Sequence, residues 1–283
     1  MHIRGTLPVC LLLSLVASQA SAQFRPRQPP PGENYNVELG MRFWFPEPSI
    51  IIGSDSLPVV DRTGVDFVQE FNITEKKFNE FRANLRGGKN VLRVAHVNMG
   101  YNEAARLQRT IEFGGRVFDI DAAATADLQW DLWRIGYERD FVRTDHGLFG
   151  VIAEVDFNHV VADLRASDGV TTVSALTDEN VPTLGFGVIG RGYVHKNVSI
   201  TFEFTGFKMP GFLADKITDV AEDAIEGDAN ATMRDLDIYV TGSFTRFFGL
   251  QGGYRWLSAD YEIDNDLGDL KMKGFYIGAM VRF

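Results

Sequence analysis

The sequence predicts an all-β protein, an antiparallel up-and-down transmembrane β-barrel of about ten strands, within a range of about eight to twelve. Three observations support this prediction. The last segment alternates apolar with small or polar residues, the first segment has the composition of an export signal, and the connections between segments alternate between short and long. Short turns at one end and longer loops at the other are typical of membrane barrels.

The C-terminal segment carries the clearest alternation. One face consists of Phe275, Ile277, Ala279, Val281 and Phe283. A period of two is that of a β-strand. In this segment the chain resembles the small β-barrel proteins of the Gram-negative outer membrane, including porin-like families, whose last strand ends on an aromatic residue. The resemblance implies that these five residues form a signal read by the barrel-assembly machinery, and that outer-membrane lipid and lipopolysaccharide surround the protein.

Residues 1–22 read as a secretory signal peptide. Arg4 supplies the positive n-region, residues 7–17 form the apolar run, and Ala20-Ser21-Ala22 is a cleavage site. The apolar run is shorter than the roughly 20 residues that a spanning helix needs. We therefore expect Sec-type export with cleavage near Ala22, followed by escort through the periplasm by chaperones.

Signal cleavage would change both the charge and the thiol content of the chain. It removes Cys10, the only cysteine, so the mature chain can form neither a disulfide nor a thiolate metal site. It also removes Arg4, which leaves 27 of the 28 basic residues against 38 acidic residues, a net charge near −11. Such a charge repels nucleic acid, which we exclude as a partner.

The mature chain divides into a linker and a barrel. Residues 23–33 are rich in proline and are expected to form an extended periplasmic tether, whereas residues 34–283 form the barrel domain. The alternation places strands at about residues 35–45, 78–86, 91–101, 123–141, 148–163, 182–194, 198–208, 232–246, 250–263 and 270–283. An even number of strands brings both termini to the periplasmic side.

Three local features accompany these strands. Pro46 and Pro48 are expected to end the first strand. In the fourth strand the apolar residues occupy even positions as far as Leu132 (Leu128, Trp130 and Leu132) and odd positions from Trp133 onward. A shift of one residue reverses the two faces of a strand, so this change predicts a β-bulge near Leu132–Trp133. Residues 64–72 also alternate, and we interpret them as a short extracellular hairpin arm; whether they span the membrane is left open.

The face opposite the apolar one carries charges of both signs, and in a barrel this face lines the lumen. Carboxylates and guanidinium groups can pair across a narrow polar interior. A sheet surface facing water is the alternative interpretation of the same residues. The predicted lumen charges are Glu38, Arg42, Glu80, Arg82, Arg86, Arg134, Glu138, Glu154, Asp156, Arg191, Glu203, Asp237 and Arg255.

The sequence contains no recognised catalytic motif, so we predict neither an enzyme nor a cofactor. The histidines lack metal-ligand spacing, and no nucleophile elbow or P-loop is present. Asp119 and Asp121 form an acidic pair on an outer segment, but no Asp-x-His accompanies them, as the omptin-like barrel proteases would require. His159 and Asp163 are the remaining candidate acid–base pair, although a histidine at an interface more often only forms hydrogen bonds.

The predicted outer loops are acidic. Residues 209–230 carry six acidic residues against Lys216, and residues 264–269 add three. A solvated acidic surface explains them, and Ca²⁺ or Mg²⁺ binding is the alternative. Together these observations predict a structural or surface-interaction role in the outer membrane, with a narrow channel or a lipid-modifying enzyme as alternatives. The sequence leaves substrate, conduction, loop ligand and oligomeric state open.

Overall fold

The computed structural model describes residues 34–54, 65–113, 116–167, 172–208, 229–263 and 266–283. The predicted signal peptide, the predicted linker and most of the predicted acidic loop between 209 and 230 lie outside these residues. The described chain contains one short helix, α1 (Phe67–Phe71). Among the residues described here, no helix is long and apolar enough to cross a membrane.

Strands make up most of the described chain. They are β1 (Val37–Ser54), β2 (Val65–Asp66), β3 (Phe78–Gly87), β4 (Asn90–Arg106), β5 (Ile111–Phe113), β6 (Arg116–Phe118), β7 (Ala123–Arg143), β8 (Gly147–Ser167), β9 (Thr172–His195), β10 (Val198–Lys208), β11 (Ala229–Ser243), β12 (Phe248–Ile263) and β13 (Asp266–Arg282).

Ten of these strands close into a barrel. Each pairs antiparallel with its neighbours in the order β1, β3, β4, β7, β8, β9, β10, β11, β12, β13. The ring closes because β13 pairs back with β1 from Glu38↔Arg282 to Ser54↔Asp266. The predicted closed antiparallel barrel of ten strands is therefore confirmed. Closure pairs both sides of every strand in the half of the barrel next to the chain termini, which is what a bilayer requires of a spanning sheet.

The two ends of the barrel differ in their connections. Residues 88–89, 144–146, 196–197 and 244–247 make short turns at one end. The first and last strands meet at this same end, where the N–H groups of Asn36 and Val37 donate to the carbonyl of Phe283 at 2.7 and 3.0 Å. We call it the terminal end and call the opposite end the loop end.

An apolar belt surrounds the half of the barrel next to the terminal end. On β13 the outward residues from Phe275 to Phe283 are apolar, and Phe275 is 72% exposed. The belt has a sharp edge, because Phe275 pairs with Phe45 while the next outward pair is Lys273 with Glu47. The belt covers nine positions on β13, which matches the roughly 9–11 residues that a strand needs to cross a membrane.

The pattern inverts above the belt. On β7, Trp133, Ile135 and Tyr137 are exposed on the outside, whereas Trp130 and Leu132 are buried inside. The predicted bulge near Leu132–Trp133 is therefore wrong, because β7 pairs with β8 without interruption as far as Asp140. The change of face marks the height at which the strand leaves the belt. The register shift of β7 lies between Asp140 and Val142.

The first strand is longer than predicted. β1 continues through Pro46 and Pro48 to Ser54, and both prolines keep partners on β13. Its pairing with β3 ends at Trp44, so the prolines lie where one side of β1 has become an edge, a position that tolerates a missing N–H. The prediction that these prolines end the strand is wrong.

The hairpin arm predicted at residues 64–72 is found only in part. Val65 and Asp66 pair with β1 in β2, and α1 follows directly. The Asp66 carboxylate accepts from the N–H groups of Val68 and Gln69 at 3.0 and 3.1 Å, as an N-cap does. Phe67 and Phe71 are buried against the barrel interior. The segment is thus a two-residue strand followed by one short helix, and it does not span the membrane.

Two other strands, β8 and β9, also extend further toward the loop end than the sequence predicted. β8 and β9 pair as far as Ser167↔Thr172, which replaces the long loop predicted for residues 164–181. The predicted outer loop at residues 102–122 contains the small hairpin of β5 and β6. Outside this hairpin, the Leu107 N–H donates to the Ala122 carbonyl at 3.1 Å and so joins the two ends of the 102–122 segment.

Candidate functional site

The barrel lumen inside the belt is crossed by ion pairs, which we call the charged layer. Arg82 on β3 and Glu203 on β10 lie 3.3 Å apart, Nη2 to Oε2. In a ring of ten strands these two are five strands apart in either direction, so they project from opposite walls. Arg93 on β4 also pairs with Glu203. An ion pair therefore joins the opposite walls of the lumen.

A second crossing centres on Asp235 of β11. Its Oδ2 accepts from Arg134 Nη1 of β7 at 2.5 Å, four strands away around the ring. The same carboxylate accepts two hydrogen bonds from Arg255, at 3.0 and 2.8 Å. Arg255 in turn reaches Glu80 on β3 at 3.0 Å. The Asp235 carboxylate thus binds the guanidinium groups of Arg134 and Arg255, and Arg255 also connects it to Glu80 on β3.

Arg42 of β1 forms the third crossing. Its Nη1 lies 2.7 Å from Asp237 Oδ2 of β11. The guanidinium also lies over the rings of Tyr276 and Tyr239, with centroid distances of 4.3 and 5.0 Å. The Tyr276 hydroxyl donates to Asp237 at 2.8 Å. Arg42 is 2% exposed, so this cation is enclosed by a carboxylate and two aromatic faces.

Further pairs continue toward the terminal end. Arg86 bonds the fully buried Asp140 at 2.6 Å. Arg282, the penultimate residue, pairs with Glu38 at 2.5 Å and donates to Ser243 at 2.9 Å. Ion pairing therefore extends from the loop-end edge of the belt, where Arg255 and Arg134 lie, to the terminal end of the lumen.

Two inward glycines make room for these side chains. A Cβ on Gly185 would lie 2.8 Å from Glu154 Cγ, and one on Gly278 would lie 2.9 Å from Arg42 Cγ. A real Cβ could not be accommodated at either position without movement. These glycines therefore belong to the packing of the charged layer.

An apolar layer covers the charged layer on the loop-end side. Trp44 lies at the junction, because Arg255 stacks over its ring at 5.0 Å and its Nε1 donates to the Gly274 carbonyl at 3.2 Å. Above it lies one continuous hydrophobic cluster to which α1 contributes two phenylalanines. The principal members are Trp44, Phe67, Phe71, Phe78, Val97, Met99, Leu128, Trp130, Leu132, Val160, Leu257, Leu270 and Met272.

The structure places all thirteen of the predicted lumen charges on the inner face of the barrel, either buried or partly buried. Those that are buried are Arg42, Glu80, Arg86, Glu138, Glu154, Asp156, Glu203, Asp237 and Arg255. Those that are partly buried are Glu38, Arg82, Arg134 and Arg191. Glu138 pairs with Arg93 at 3.1 Å and Asp156 with Arg134 at 3.1 Å. Arg191 donates to the Thr201 hydroxyl at 2.9 Å.

Among the side chains that the structure describes, four buried lumen charges were missed from the sequence: Arg93, Asp140, Asp235 and Arg282. Arg93 lies on a strand with apolar residues on both faces, but the outward direction of Leu92 shows that Arg93 points inward. Asp235 is two residues from the inward Asp237, and Arg282 is six residues from the inward Tyr276, so both lie on the inner face of their strands. Asp140 comes just before the β7 bulge. Strict alternation from each strand's belt residues would have found all four.

The predicted assembly-signal residues all face outward. Phe275, Ile277, Val281 and Phe283 are between 39% and 72% exposed, and Ala279 is exposed between them. Their side chains therefore belong to the belt surface. This placement leaves their proposed recognition role as a prediction.

The histidines give a different arrangement from the predicted pair. His159 and Asp163 both face outward on β8, and Asp163 pairs with Arg165 at 2.5 Å. A contact missed from the sequence joins His96 Nε2 to Asp131 Oδ1 at 2.6 Å, with the His96 ring stacked on Trp133 at 4.2 Å. In the part of the chain that the structure describes, no three His, Asp or Glu residues form a metal-binding group.

A closed barrel with an apolar belt and a charged lumen defines an outer-membrane β-barrel protein. No protein-family model matches the chain, and no curated protein does so either.

Several solved structures of outer-membrane proteins have a similar fold. The protease OmpT of Escherichia coli is 8% identical with a TM-score of 0.49, over 88% of this chain and 97% of that chain. The toluene transporter TodX of P. putida is 6% identical with a TM-score of 0.38, over 90% and 93%. Ail of Yersinia pestis, in complex with a heparin analogue, is 8% identical with a TM-score of 0.36, over 88% and 99%. At these identities we draw nothing about activity.

Proposed function

We propose that this protein is a non-conducting outer-membrane barrel with a structural or surface-interaction role and no enzymatic activity. The observation that carries the proposal is the contact between Arg82 and Glu203, which joins opposite walls of the lumen. A solute that passed along the barrel axis would have to separate these two charges.

The two layers inside the barrel support a closed lumen. The charged layer adds crossings through Asp235 and Asp237, and the apolar layer lies directly above it. Moving a hydrated ion through an apolar layer costs its hydration energy. Barrels of about eight strands are already just wide enough for side chains to fill them, and water-filled porins have about 16–18 strands.

The loop end supports the surface-interaction part of the proposal. Membrane barrels have their short turns in the periplasm, so the terminal end is assigned to the periplasm and the loop end to the exterior. The barrel wall continues beyond the belt only at the loop end; on β8 it runs from His159 to Ser167, or about 25 Å along the strand. A wall of this kind would place the loop-end rim of the barrel beyond the lipid headgroups.

The outward His96–Asp131 pair supports a structural role for itself rather than catalysis. His96 stacks on Trp133, and Trp133 is the last apolar outward residue of β7 before the belt ends. Amphipathic rings are favoured at this height of a membrane protein. The pair thus fits the girdle at the belt edge.

Planar-bilayer recording of the purified barrel tests the proposal. We expect no stepwise single-channel conductance from the wild-type chain. The control is the triple variant Trp44→Gly, Arg82→Gly and Glu203→Gly, which thins both layers and should give small, noisy steps. Steps from the wild type comparable to those of the variant would overturn the proposal. Unchanged lipid A masses in cells with and without the protein test the absence of lipid-modifying activity.

A further inference from the structure

The apolar layer contains a cavity that packing leaves unfilled. The space between its lining side chains, counted together with the part that is open to solvent, is about 420 Å³. Its apolar lining comes from five strands, through Trp130, Val160, Ala231, Met233, Ala259 and Leu270. A second space of about 300 Å³ shares three of these residues and continues to Ile50, Met99 and Met272.

Three of the polar groups beside the cavity are engaged with one another, whereas Thr232 and Asp260, which also border it, lie at outward positions of β11 and β12. Trp130 Nε1 donates to Asn158 Oδ1 at 3.1 Å, and Asn158 Nδ2 donates to the Thr183 hydroxyl at 3.4 Å. The Thr183 hydroxyl in turn lies 3.7 Å from Met233 Sδ. The indole, the Asn158 amide and the hydroxyl are therefore satisfied locally, so the site presents mainly carbon and sulfur to an occupant. Apolar cavities of this kind favour apolar ligands over water.

The height of the cavity decides how an occupant would reach it. The neighbours of Trp130 on the outside of β7 are Gln129 and Asp131, and the outward neighbour of Met233 is Arg234. This section of the wall is therefore above the apolar belt. An occupant would enter from the loop end and not from the acyl chains.

The charged layer lies directly below the cavity. Asp156 and Arg134 pair at 3.1 Å on the neighbouring β8 and β7, and Arg134 reaches across the lumen to Asp235. An apolar molecule gains nothing by displacing such pairs, which must stay desolvated and paired. The arrangement is thus a pocket with a closed floor rather than a section of a channel.

We propose that this cavity binds a small uncharged apolar molecule, of the size of one aromatic ring or a short alkyl chain. Trp130 supplies a flat aromatic wall, and Met233, Met272 and Met99 supply flexible thioether side chains. Methionine fits irregular apolar ligands and contacts aromatic rings favourably.

Benzene is a suitable probe, and methionine methyl groups are suitable reporters. The barrel is labelled with ¹³C-methyl methionine, held in lipid nanodiscs and titrated with benzene. We expect saturable ring-current shifts of the Met233 and Met272 methyl signals. Met41, which faces outward in the belt, and Met280, which is buried near the terminal end, serve as internal references. Met41 should report only non-saturating partition into lipid.

Two variants locate the site. Ala231→Leu fills the cavity and should weaken benzene binding by on the order of tenfold or more. Ala153→Leu makes the same change on the lipid-facing side of β8 and should leave the affinity unchanged. If Ala231→Leu does not fold, as judged by heat-modifiable gel mobility, Leu270→Ala takes its place; this variant enlarges the space and should alter the Met233 shift on saturation.

Several outcomes would overturn the proposal. These are linear, non-saturating shifts of the Met233 and Met272 methyls in the wild type, equal shifts at Met41, or unchanged affinity in Ala231→Leu. Saturable shifts at Met233 that Ala231→Leu removes and Ala153→Leu retains would establish the site.

Discussion

The Nη2 atom of Arg82 and the Oε2 atom of Glu203 lie 3.3 Å apart although their strands face each other across the barrel. The two residues are 121 positions apart in the sequence. Glu203 also accepts from Arg93 and, at 2.5 Å, from the Tyr239 hydroxyl. One carboxylate on β10 therefore holds together groups from β3, β4 and β11.

Removal of the Glu203 carboxylate should destabilise the barrel more than removal of the Arg82 guanidinium. Glu203→Ala leaves Arg82 and Arg93 without this partner, and breaking one member of a buried pair costs about 3–5 kcal/mol. Arg82→Ala leaves Glu203 still paired with Arg93, so its cost should fall at or below the lower limit. Urea unfolding followed by the loss of heat-modifiable mobility measures both.

The double variant Arg82→Ala with Glu203→Ala provides the check on this reasoning. Its destabilisation should be smaller than the sum of the two single effects, because no unpaired Arg82 charge remains. Additive effects would show that the two side chains do not interact in the folded barrel.

Gly185→Ala should destabilise the barrel by about 1–3 kcal/mol, the usual cost of overpacking. The new Cβ would lie 2.8 Å from Glu154 Cγ, so that the Glu154 side chain must move within the charged layer. Gly190→Ala is the matched control on the same strand, because its Cβ would meet nothing within 4 Å. Equal unfolding midpoints for the two variants would contradict the packing described here.

A lysine in the belt should be far more costly than a lysine above it. Ala153 faces outward in the middle of the belt residues of β8, so Ala153→Lys should cost about 2–4 kcal/mol in lipid. Gln129 faces outward on β7 above the belt edge, and Gln129→Lys should be nearly neutral. Reversible folding into phospholipid vesicles measures both. The belt would be misplaced if Gln129→Lys proved as harmful as Ala153→Lys.

Phe283→Ala should reduce assembly in cells without weakening the folded barrel. The Phe283 carbonyl accepts from Asn36 and Val37, contacts that alanine keeps, while the side chain is 66% exposed. The amount of folded protein in the outer membrane and the unfolding midpoint of the purified barrel are measured separately. A lowered midpoint with normal cellular yield would assign Phe283 to packing instead of recognition.

The barrel and its belt could be predicted from the sequence because both depend on a period of two. Residues such as Phe149 and Phe157 on β8 carry that period without interruption, and the structure places them on the outside. The same period separated Arg42 and Glu80 from the lipid face. Local alternation therefore sufficed for strand number and for the direction of most side chains.

The sequence interpretation was wrong where the environment of a strand changes along its length. Leu128, Trp130 and Leu132 have the composition of belt residues, yet they point inward because β7 has left the belt at that height. A pattern of apolar residues does not distinguish lipid from an apolar interior. The partners on β4 and β8 show that the register is unbroken.

The pairing of the lumen charges could not be predicted at all. Arg134 and Asp235 are 101 positions apart, and their contact depends on barrel closure and on strand stagger. Alternation gives the side of the sheet on which a charge lies but not its height along the axis or its partner across the lumen. The same holds for His96 and Asp131, which are neighbours only because β4 pairs with β7.

The edge between Phe275 and Lys273 on β13, matched by Phe45 and Glu47 on β1, has a mechanical consequence. If the barrel moved deeper by two residues along the strand, the Lys273 ammonium and the Glu47 carboxylate would enter the hydrocarbon. If it moved outward by the same distance, Phe275 and Phe45 would lose their contacts with acyl chains. Both displacements are opposed by the wall itself. The boundary between apolar and charged outward residues thus favours one depth of the barrel in the bilayer.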